Sequence, residues 1–471
     1  MRSSKLIKDL ILAFLSQGLG TLLSVLMTLI LPKFLGVAEY GYWQLFIFYL
    51  SYIGFFHFGI NDGVYLIYGG EERSSLDKKS INSQFAVSVI YQTVISLALI
   101  GVALLGPFEP EREFVIVWLG IILLANNCSF YLGYVFQAIN ETSLFSYSAA
   151  LDSAVFLGSL LVLALFGTSS FEPYVVCYTF AKVIRLLYCI WHARDILSSG
   201  YLAPRRAIAD SLSSIRVGIK LMFANIVGSL ILGVVRFFVD ANWGIEVFSV
   251  VSFSLSIASF FLTFLTQVSM VLFPNLKQSS EALQKRVFRV MRDALDLILP
   301  ALYCFYGPIS IILNWWLPQY AQSIQLFSML FPIVVFEGKM DIVGTTFFKV
   351  LRFEKQLLNI NLLSLALSFV VVLIGSLLFQ SIELTLTGVV VILGLRSAVS
   401  EAIISRTLGL PQSKLSFEAI GISVLFVLIS QFVPAMVSSG VFCVVYAIYV
   451  SANRSLATGL IDDVRTLSDA R

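Results

Sequence analysis

Long apolar runs recur along the whole chain, and they constrain its fold more than any other feature. Windows of about 19 residues identify about fourteen runs, each near the ~20 residues that an α-helix needs to cross a bilayer. Inside a bilayer no water bonds to backbone N–H and C=O groups, so a spanning segment is a helix or part of a closed barrel. Runs of this length predict helices, and the chain is therefore predicted to be an all-α polytopic membrane protein.

The predicted spans begin with a retained first helix and end with a closely spaced pair on either side of Pro434. In chain order they cover residues 7–31, 45–68, 85–105, 115–138, 147–166, 174–190, 217–239, 247–272, 295–313, 324–350, 357–379, 384–404, 417–433 and 435–450. The last two runs are each shorter than the usual ~20 residues, so twelve spans is the alternative count.

Composition and charge exclude several other classes of protein. Hydrophobic residues make up 58% of the chain and charged residues 13%, against about 45–50% and 25% in soluble domains. The 31 Lys and Arg residues nearly balance the 28 Asp and Glu residues, which argues against nucleic acid as a partner. The five cysteines lie in apolar stretches without a C-x-x-C pair, so neither a disulfide framework nor a metal site is indicated.

The distribution of Lys and Arg predicts the orientation of the chain. With the N-terminus in the cytoplasm, the interior segments hold most of the 31 basic residues, whereas the exterior connections hold only Lys33 and Arg112. Basic residues concentrate in cytoplasmic loops. Both termini are therefore predicted to be cytoplasmic.

A long interior connection divides the first twelve predicted spans into six and six. This predicts an N-terminal lobe at residues 1–193, a cytoplasmic linker at 194–216 and a C-terminal lobe at 217–406, with the last two spans and a cytoplasmic tail at 407–471. Six spans preserve orientation between the halves, so the lobes are predicted to be parallel repeats with a site between them. The basic segment 280–292 has an apolar stripe and is predicted to lie on the inner leaflet.

Two motifs in the first seventy residues carry a family resemblance. Residues 31–43 read LPKFLGVAEYGYW, and residues 58–70 read FGINDGVYLIYGG. Weaker echoes are LFPNL at 272–276 and WLPQY at 316–320. The chain resembles the oligosaccharide (polysaccharide and O-antigen type) flippase branch of the multidrug, oligosaccharidyl-lipid and polysaccharide exporter superfamily.

This resemblance implies both an architecture and an activity. It implies two six-helix lobes around a central cavity, two extra C-terminal helices, and a location in the bacterial cytoplasmic membrane. The implied activity is flipping of an undecaprenyl-pyrophosphate-linked oligosaccharide from the inner to the outer leaflet by alternating access. The implied partners are this lipid-linked substrate, membrane lipids and other membrane proteins of polysaccharide assembly.

Basic residues inside the predicted spans are the predicted substrate-binding residues. An unpaired cation at a helix centre costs about 2.5–3.5 kcal/mol, so each one requires a partner or a polar cavity, and a pyrophosphate requires cations within the membrane. The five are Lys182, Arg185, Arg236, Lys339 and Arg396. Arg236 also stands four residues before Asp240, so an intrahelical ion pair is the alternative for this residue.

Four further residues are predicted to couple or gate transport. Glu337 and Asp341 project from one helical face, where two carboxylates suit a sodium ion or a proton. The alternative is that they pair with a cation such as Arg396 across a helix interface. Asn61 and Asp62 lie between two glycines in predicted span two. No cofactor is predicted beyond Na⁺ or H⁺ as a coupling ion, and no P-loop sequence is present to bind ATP.

Two other functions stand beside the flippase. A cation-coupled multidrug antiporter of the same superfamily would place an acidic cavity around cationic compounds, whereas the basic residues within the spans favour an anionic substrate. A membrane-embedded glycan polymerase or ligase would use a substantial external loop with arginines, and the external connections here are short. The chain is therefore predicted to be a transporter and not an enzyme.

Overall fold

The computed structural model describes the backbone of residues 2–277 and 279–460. Side chains are described from residue 16 onward, except at residues 224–225, 267–268, 270–275 and 277. Residues 272–275 of the weaker motif at 272–276, and several basic residues used for the orientation, near the two ends and at 277, lie outside these described side chains. Within the described residues every regular element is helical, and the chain divides into two compact units, Met1–Ile226 and Val227–Arg471.

The first unit is built from long apolar helices joined by short connections. Its helices are α1 (Arg2–Leu29), α2 (Leu31–Phe34), α3 (Val37–Leu50), α4 (Ile60–Ile67), α5 (Lys78–Leu105), α6 (Pro110–Ala138), α7 (Thr142–Leu165), α8 (Glu172–His192), α9 (Arg194–Leu197) and the first part of α10 (Pro204–Lys277). Helix α6 packs against α5 and α8, while α7 packs against α1 and α8.

The motif at residues 31–43 is part of the packed interior of this unit. Trp43 is buried and stacks on Phe156 of α7, with ring centroids 5.8 Å apart. Glu39 accepts the backbone N–H of Phe171 at the start of α8, at 2.8 Å. Helix N-termini carry unpaired N–H groups that a carboxylate satisfies. The motif therefore joins the beginning of α3 to α7 and α8.

Predicted span two is broken rather than continuous. A 3-10 helix (Ile53–His57) follows α3, and α4 then leaves at an angle of 54° to the preceding segment. The break occurs because Phe58 and Gly59 both have left-handed backbone conformations, with φ of 49° and 82°. Gly59 permits this conformation, and an ideal Cβ there would lie 2.4 Å from the backbone nitrogen of Ile219.

Residues 194–216, predicted as a linker between lobes, are largely helical. Helix α9 occupies the start of this segment and α10 begins at Pro204. The whole segment belongs to the first compact unit, whose boundary falls after Ile226. The reason is the packing of α10 against α4: ideal Cβ atoms at Gly63 and Gly218 would each fall within 2.0 Å of a backbone carbonyl oxygen of the other helix segment.

In its described residues, the second unit contains the remainder of α10 and nine further α-helices. These are α11 (Glu281–Ile298), α12 (Tyr306–Trp316), α13 (Ala321–Leu330), α14 (Pro332–Lys339), α15 (Thr346–Val350), α16 (Glu354–Leu373), α17 (Ile382–Thr407), α18 (Lys414–Phe432) and α19 (Ala435–Ala452). A positive φ at Gly244, with φ 79° and ψ −178°, interrupts α10 between predicted spans seven and eight.

Predicted span ten is also discontinuous. Helices α13 and α14 meet at Pro332, and a π-helical segment, Met340–Thr345, separates α14 from α15. A π-helical insertion adds a residue to the turn and rotates the side chains that follow. Glu337 lies in α14 and Asp341 in the π-helical segment that follows it.

Length and apolarity confirm the class of protein. Within the described residues, eleven helices are long and apolar enough to cross a membrane, and the bent pair around Gly59 raises the number to twelve. Many of their large hydrophobic side chains are exposed, such as Leu165, Phe379 and Phe432, as expected where lipid is the solvent. The protein is an all-α polytopic membrane protein, and a total of fourteen spans stays a prediction.

Candidate functional site

A polar cavity of about 450 Å³ lies inside the first unit. Its polar lining consists of Ser51, His57, Asn61, Asn126, Asn127 and Lys182. Aromatic side chains contribute Phe130, Tyr134 and Tyr178. Among the described residues that line this cavity, Lys182 is the only one with a full charge, and none is a carboxylate.

Lys182 belongs to a three-residue charge cluster between α7 and α8. Its ammonium group pairs with the carboxylate of Asp152, and Nη1 of Arg185 lies 3.6 Å from the same carboxylate. The guanidinium group of Arg185 also packs over the ring of Phe130, 4.4 Å from its centroid. Two cations therefore share one carboxylate, which leaves this buried cluster with one excess positive charge.

The broken helix contributes His57 and Asn61 to the cavity lining and places Asp62 next to His57. The N–H of Gly59 donates to Nδ1 of His57 at 2.9 Å, so the ring proton lies on Nε2. Nε2 is 3.8 Å from an oxygen of Asp62, which is 4% exposed. Both side-chain polar atoms of Asn61, which is 1% exposed, have no protein hydrogen-bond partner.

The amides of Asn127 and Gln92 are instead bonded to the protein. Asn127 donates to the carbonyl oxygen of Ile53 at 3.0 Å and to the side-chain oxygen of Gln92 at 3.1 Å. Gln92 in turn donates to the carbonyl oxygen of Phe56 at 3.0 Å. These bonds satisfy the carbonyl groups that the 3-10 segment before the break leaves without helical partners.

The second unit contains its own buried charge cluster, centred on Lys339. Nζ of Lys339 lies 2.5 Å from Asp296 and 2.6 Å from Glu401, and it donates to the hydroxyl of Ser416 at 3.0 Å. The Ser416 hydroxyl oxygen also lies 2.6 Å from Asp296 and 2.8 Å from Glu401, so its one hydrogen is shared between the two carboxylates. Lys339, predicted as a substrate-binding residue, is therefore in contact with two carboxylates and a hydroxyl.

Arg292 extends the same cluster toward Pro411, which lies in the connection between α17 and α18. It is 3% exposed, its Nε bonds to Asp293 at 2.8 Å, and its Nη1 donates to the carbonyl oxygen of Pro411 at 2.9 Å. Nε is 3.9 Å from Glu401. The sequence predicts that segment 280–292 lies on the inner leaflet, with Arg292 on its polar face. In the structure, α11 instead continues into an apolar stretch that ends at residue 316. The last turns of α11, and Arg292 with them, are therefore buried.

Arg396 pairs with Glu337 across a helix interface. Its Nη2 donates to Glu337 at 2.8 Å, which joins α17 to α14. The hydroxyl of Thr266 donates to Asp341 at 3.3 Å. The predicted anion ligand Arg396 and the predicted coupling residue Glu337 are thus partners of each other, as the alternative interpretation of the sequence had it.

Arg236 lies in the second unit, half-buried on α10 before the break at Gly244, with Asp240 buried one turn further on. Lys182, Arg185 and Asn61 are brought together in the first unit, while Lys339, Arg396 and Glu337 lie in the second. The structure thus distributes the predicted residues over two sites.

Several carboxylates of these sites were missed by the sequence reasoning. Asp296 lies at the second position of predicted span nine and Glu401 inside predicted span twelve. Acidic side chains inside apolar spans are as costly as basic ones and mark the same kinds of site. The sequence therefore contained a usable signal. If acidic residues inside apolar spans are treated as buried basic residues are, Asp152, Asp296 and Glu401 stand out, and they are the partners of Lys182, Arg185 and Lys339.

In the described part of the chain, no group of three or more His, Cys, Asp or Glu side chains is arranged to hold a metal ion.

The arrangement of helices matches a known class of membrane protein. No family profile matches the chain. No curated protein sequence matches it either. Solved structures do match the fold of the chain.

Two solved structures illustrate the similarity. An inward-facing multidrug resistance MATE family transporter of the MOP superfamily aligns with a TM-score of 0.63 and 11% identity, over 83% of this chain and 94% of that one. The lipid II flippase MurJ in its inward closed conformation aligns with a TM-score of 0.60 and 13% identity, over 96% of this chain and 100% of that one. At these identities the similarity concerns the fold.

Proposed function

We propose that the protein is a flippase that moves an undecaprenyl-pyrophosphate-linked oligosaccharide from the inner to the outer leaflet of the bacterial cytoplasmic membrane by alternating access. The fold is shared with transporters, among them one whose name describes a lipid-linked substrate, the lipid II flippase MurJ. The observation that carries the proposal is the polar cavity of the first unit. Among the described residues that line it, Lys182 is the one with a charge.

The charge of this cavity suits an anion. Asp152 neutralises one of the two cations Lys182 and Arg185, which leaves one positive charge in a membrane-embedded site. Burying an uncompensated charge is costly, and an anionic ligand removes that cost. A phosphate group also accepts a hydrogen bond from the neutral donor His57 in the lining.

Reconstituted protein tests this proposal directly. Proteoliposomes carrying a fluorescent polyprenyl-pyrophosphate-linked saccharide should show flipping that Lys182→Gln lowers by about tenfold or more, because one charge-assisted bond is worth about 1.5–3 kcal/mol. Lys182→Arg should retain part of the activity. Lys220→Gln, which neutralises an exposed lysine of the same unit, is the matched control. Parent protein that flips no lipid-linked saccharide contradicts the proposal.

The coupling residues enter the same proposal. Asp62 and Asn61 at the broken helix, and Glu337 and Asp341 beside the π-helical segment, are proposed to couple transport to H⁺ or Na⁺. Asp341→Asn is the cleaner test, because Glu337→Gln also removes the partner of the buried Arg396. Flipping by Asp341→Asn that follows imposed sodium and proton gradients as the parent does would exclude a coupling role for Asp341.

A cation-coupled multidrug antiporter is the second candidate, and one observation favours it. In the cluster around Lys339, three carboxylates (Asp293, Asp296 and Glu401) face two cations, which leaves an excess negative charge suited to a cationic compound or coupling ion. Proteoliposomes loaded with ethidium distinguish the two functions. Gradient-driven ethidium movement without flipping of lipid-linked saccharide would support the antiporter.

A further inference from the structure

We infer that the cavity of the first unit binds the sugar next to the phosphate of a glycosyl phosphate, and that the side-chain amide of Asn61 recognises a hydroxyl or acylamino group of that sugar. This inference rests on the proposed function and adds to it which part of the substrate this cavity holds. It separates two roles within one cavity: Lys182 attracts the phosphate, and Asn61 selects for the sugar.

The first argument is the unused hydrogen-bonding capacity of Asn61. Its amide nitrogen and oxygen are both buried without a protein partner, although Asn61 lines the cavity. A buried polar group without a partner costs about 1–3 kcal/mol, and such groups are rare in folded proteins. Asn127, in the same lining, uses its amide to hold the 3-10 segment. A role in structure therefore accounts for Asn127 and leaves Asn61 available to a ligand.

The second argument is the rigid position of Asn61. It lies in the first turn of α4, between Gly59 and Gly63, and both glycines contact the backbone of α10 too closely to admit a Cβ atom. Gly218 of α10 makes the reciprocal contact. Close packing of backbone on both sides of Asn61 fixes its Cα, so the amide is presented in a defined place. Preorganised polar groups of this kind discriminate between ligands that differ by a single hydrogen-bonding group.

The third argument is the character of the surrounding wall. Phe130, Tyr134 and Tyr178 line the cavity together with Asn61, and the ammonium group of Lys182 lies 4.9 Å from the ring centroid of Tyr178. Aromatic faces give a sugar ring a large apolar contact, while amide groups satisfy its hydroxyls. A cavity with aromatic faces, a free amide and one cation fits a phosphorylated sugar better than a bare phosphate or an apolar chain.

Binding to three probes tests the inference with purified protein in lipid nanodiscs. The probes are farnesyl pyrophosphate and its glucosyl and N-acetylglucosaminyl diesters. The parent should bind at least one glycosylated probe more tightly than farnesyl pyrophosphate. Asn61→Leu should reduce that preference by about threefold to tenfold, the value of one neutral hydrogen bond, and leave the affinity for farnesyl pyrophosphate unchanged. Lys182→Gln should weaken the binding of all three probes.

Stability provides a second readout that a purely structural role of Asn61 would not give. Asn61→Leu removes an unpartnered buried amide, so thermal unfolding in detergent should occur at the same or a higher temperature than in the parent. Asn127→Leu, the matched control, breaks two bonds and should unfold at a lower temperature.

The outcomes separate this inference from the proposed function. If the parent binds farnesyl pyrophosphate but neither sugar adds affinity, or if Asn61→Leu weakens all probes equally, the sugar-recognition role of Asn61 is overturned and the flippase proposal stands. If the parent binds none of the three probes, the proposed function itself fails. A marked loss of stability in Asn61→Leu would show that the amide supports the fold.

Discussion

Replacing Lys339 by methionine should destabilise the second unit more than any exposed lysine can. The substitution keeps the length and most of the apolar volume of the side chain and removes only its charge. Asp296 and Glu401 would then lie together in the protein interior, where their side chains are 2% and 6% exposed, without the cation that now contacts both.

The magnitude follows from the two contacts. At 2.5 and 2.6 Å, and with an effective dielectric constant of about 20, each contact corresponds to roughly 6 kcal/mol of Coulombic attraction. Desolvation of the three ions offsets most of this attraction, and removing one partner from a buried ion pair costs about 3–5 kcal/mol. We expect Lys339→Met to lower the free energy of unfolding by that amount. Adding Asp296→Asn should recover about half of the loss, because one buried carboxylate then remains beside Arg292.

Unfolding by titration of sodium dodecyl sulfate into maltoside micelles, followed by tryptophan fluorescence, measures these differences. Lys349→Met, which removes an exposed lysine of α15, is the matched control and should change the unfolding free energy by less than about 0.5 kcal/mol. A cost below about 1 kcal/mol for Lys339→Met, or strictly additive effects of Lys339→Met and Asp296→Asn, would refute the conclusion that these charges depend on one another.

Three further predictions follow from other parts of the chain. Gly218→Ala should prevent normal packing of α10, because its Cβ would lie 2.0 Å from the carbonyl oxygen of Gly59. Gly158→Ala, which has open space around it, is the control and should be neutral or stabilising by up to about 1 kcal/mol. The yield of monodisperse protein distinguishes the two variants. Hydrogen bonds from the Arg73 guanidinium hold the pKa of Asp195 well below its usual range, so this pair contributes stability above about pH 4 that is lost as pH falls toward the lowered pKa. Arg73→Gln should cost about 1 kcal/mol at pH 7 in thermal unfolding, and the cost should shrink progressively as pH falls below about 4. Reporter fusions between spans twelve and thirteen and at the C-terminus should both report the cytoplasm, and an exterior C-terminus would contradict the fourteen-span topology.

Local features of the chain were predicted well because they depend on neighbouring residues. Hydropathy over about 20 residues identifies a membrane helix directly, since the cost of exposing backbone to lipid acts on each segment separately. The gap between predicted spans seven and eight contains Gly244, where α10 is interrupted, and Pro434 separates the last two helices. The bend at Phe58 and Gly59 was not predicted, because a non-glycine residue with positive φ has no reliable local signal.

The sites were predicted less completely, because their partners are distant in sequence. Lys182 and Asp152 are 30 residues apart, and Arg396 and Glu337 are 59 apart. The cost of burying a charge predicts that each of these cations has a partner or a polar cavity, but it does not identify which carboxylate approaches it. Arg292 shows the same limit: its helical pattern predicted a surface position, but contacts with Glu401 and Ser405 of α17 and with Pro411 place it in the interior.

The sequence by itself determined that this protein is a polytopic helical membrane protein and that costly charges lie inside its spans, because both conclusions depend on the energy of single segments in a bilayer. Tertiary structure alone decided which charges neutralise one another and which polar groups remain for a ligand. Asn61 and Asn127 are both asparagines within apolar helices, and only the packing of α4, α6 and α10 leaves the first amide without a partner while the second is bonded. Such differences arise from contacts between segments far apart in the chain, and no local pattern contains them.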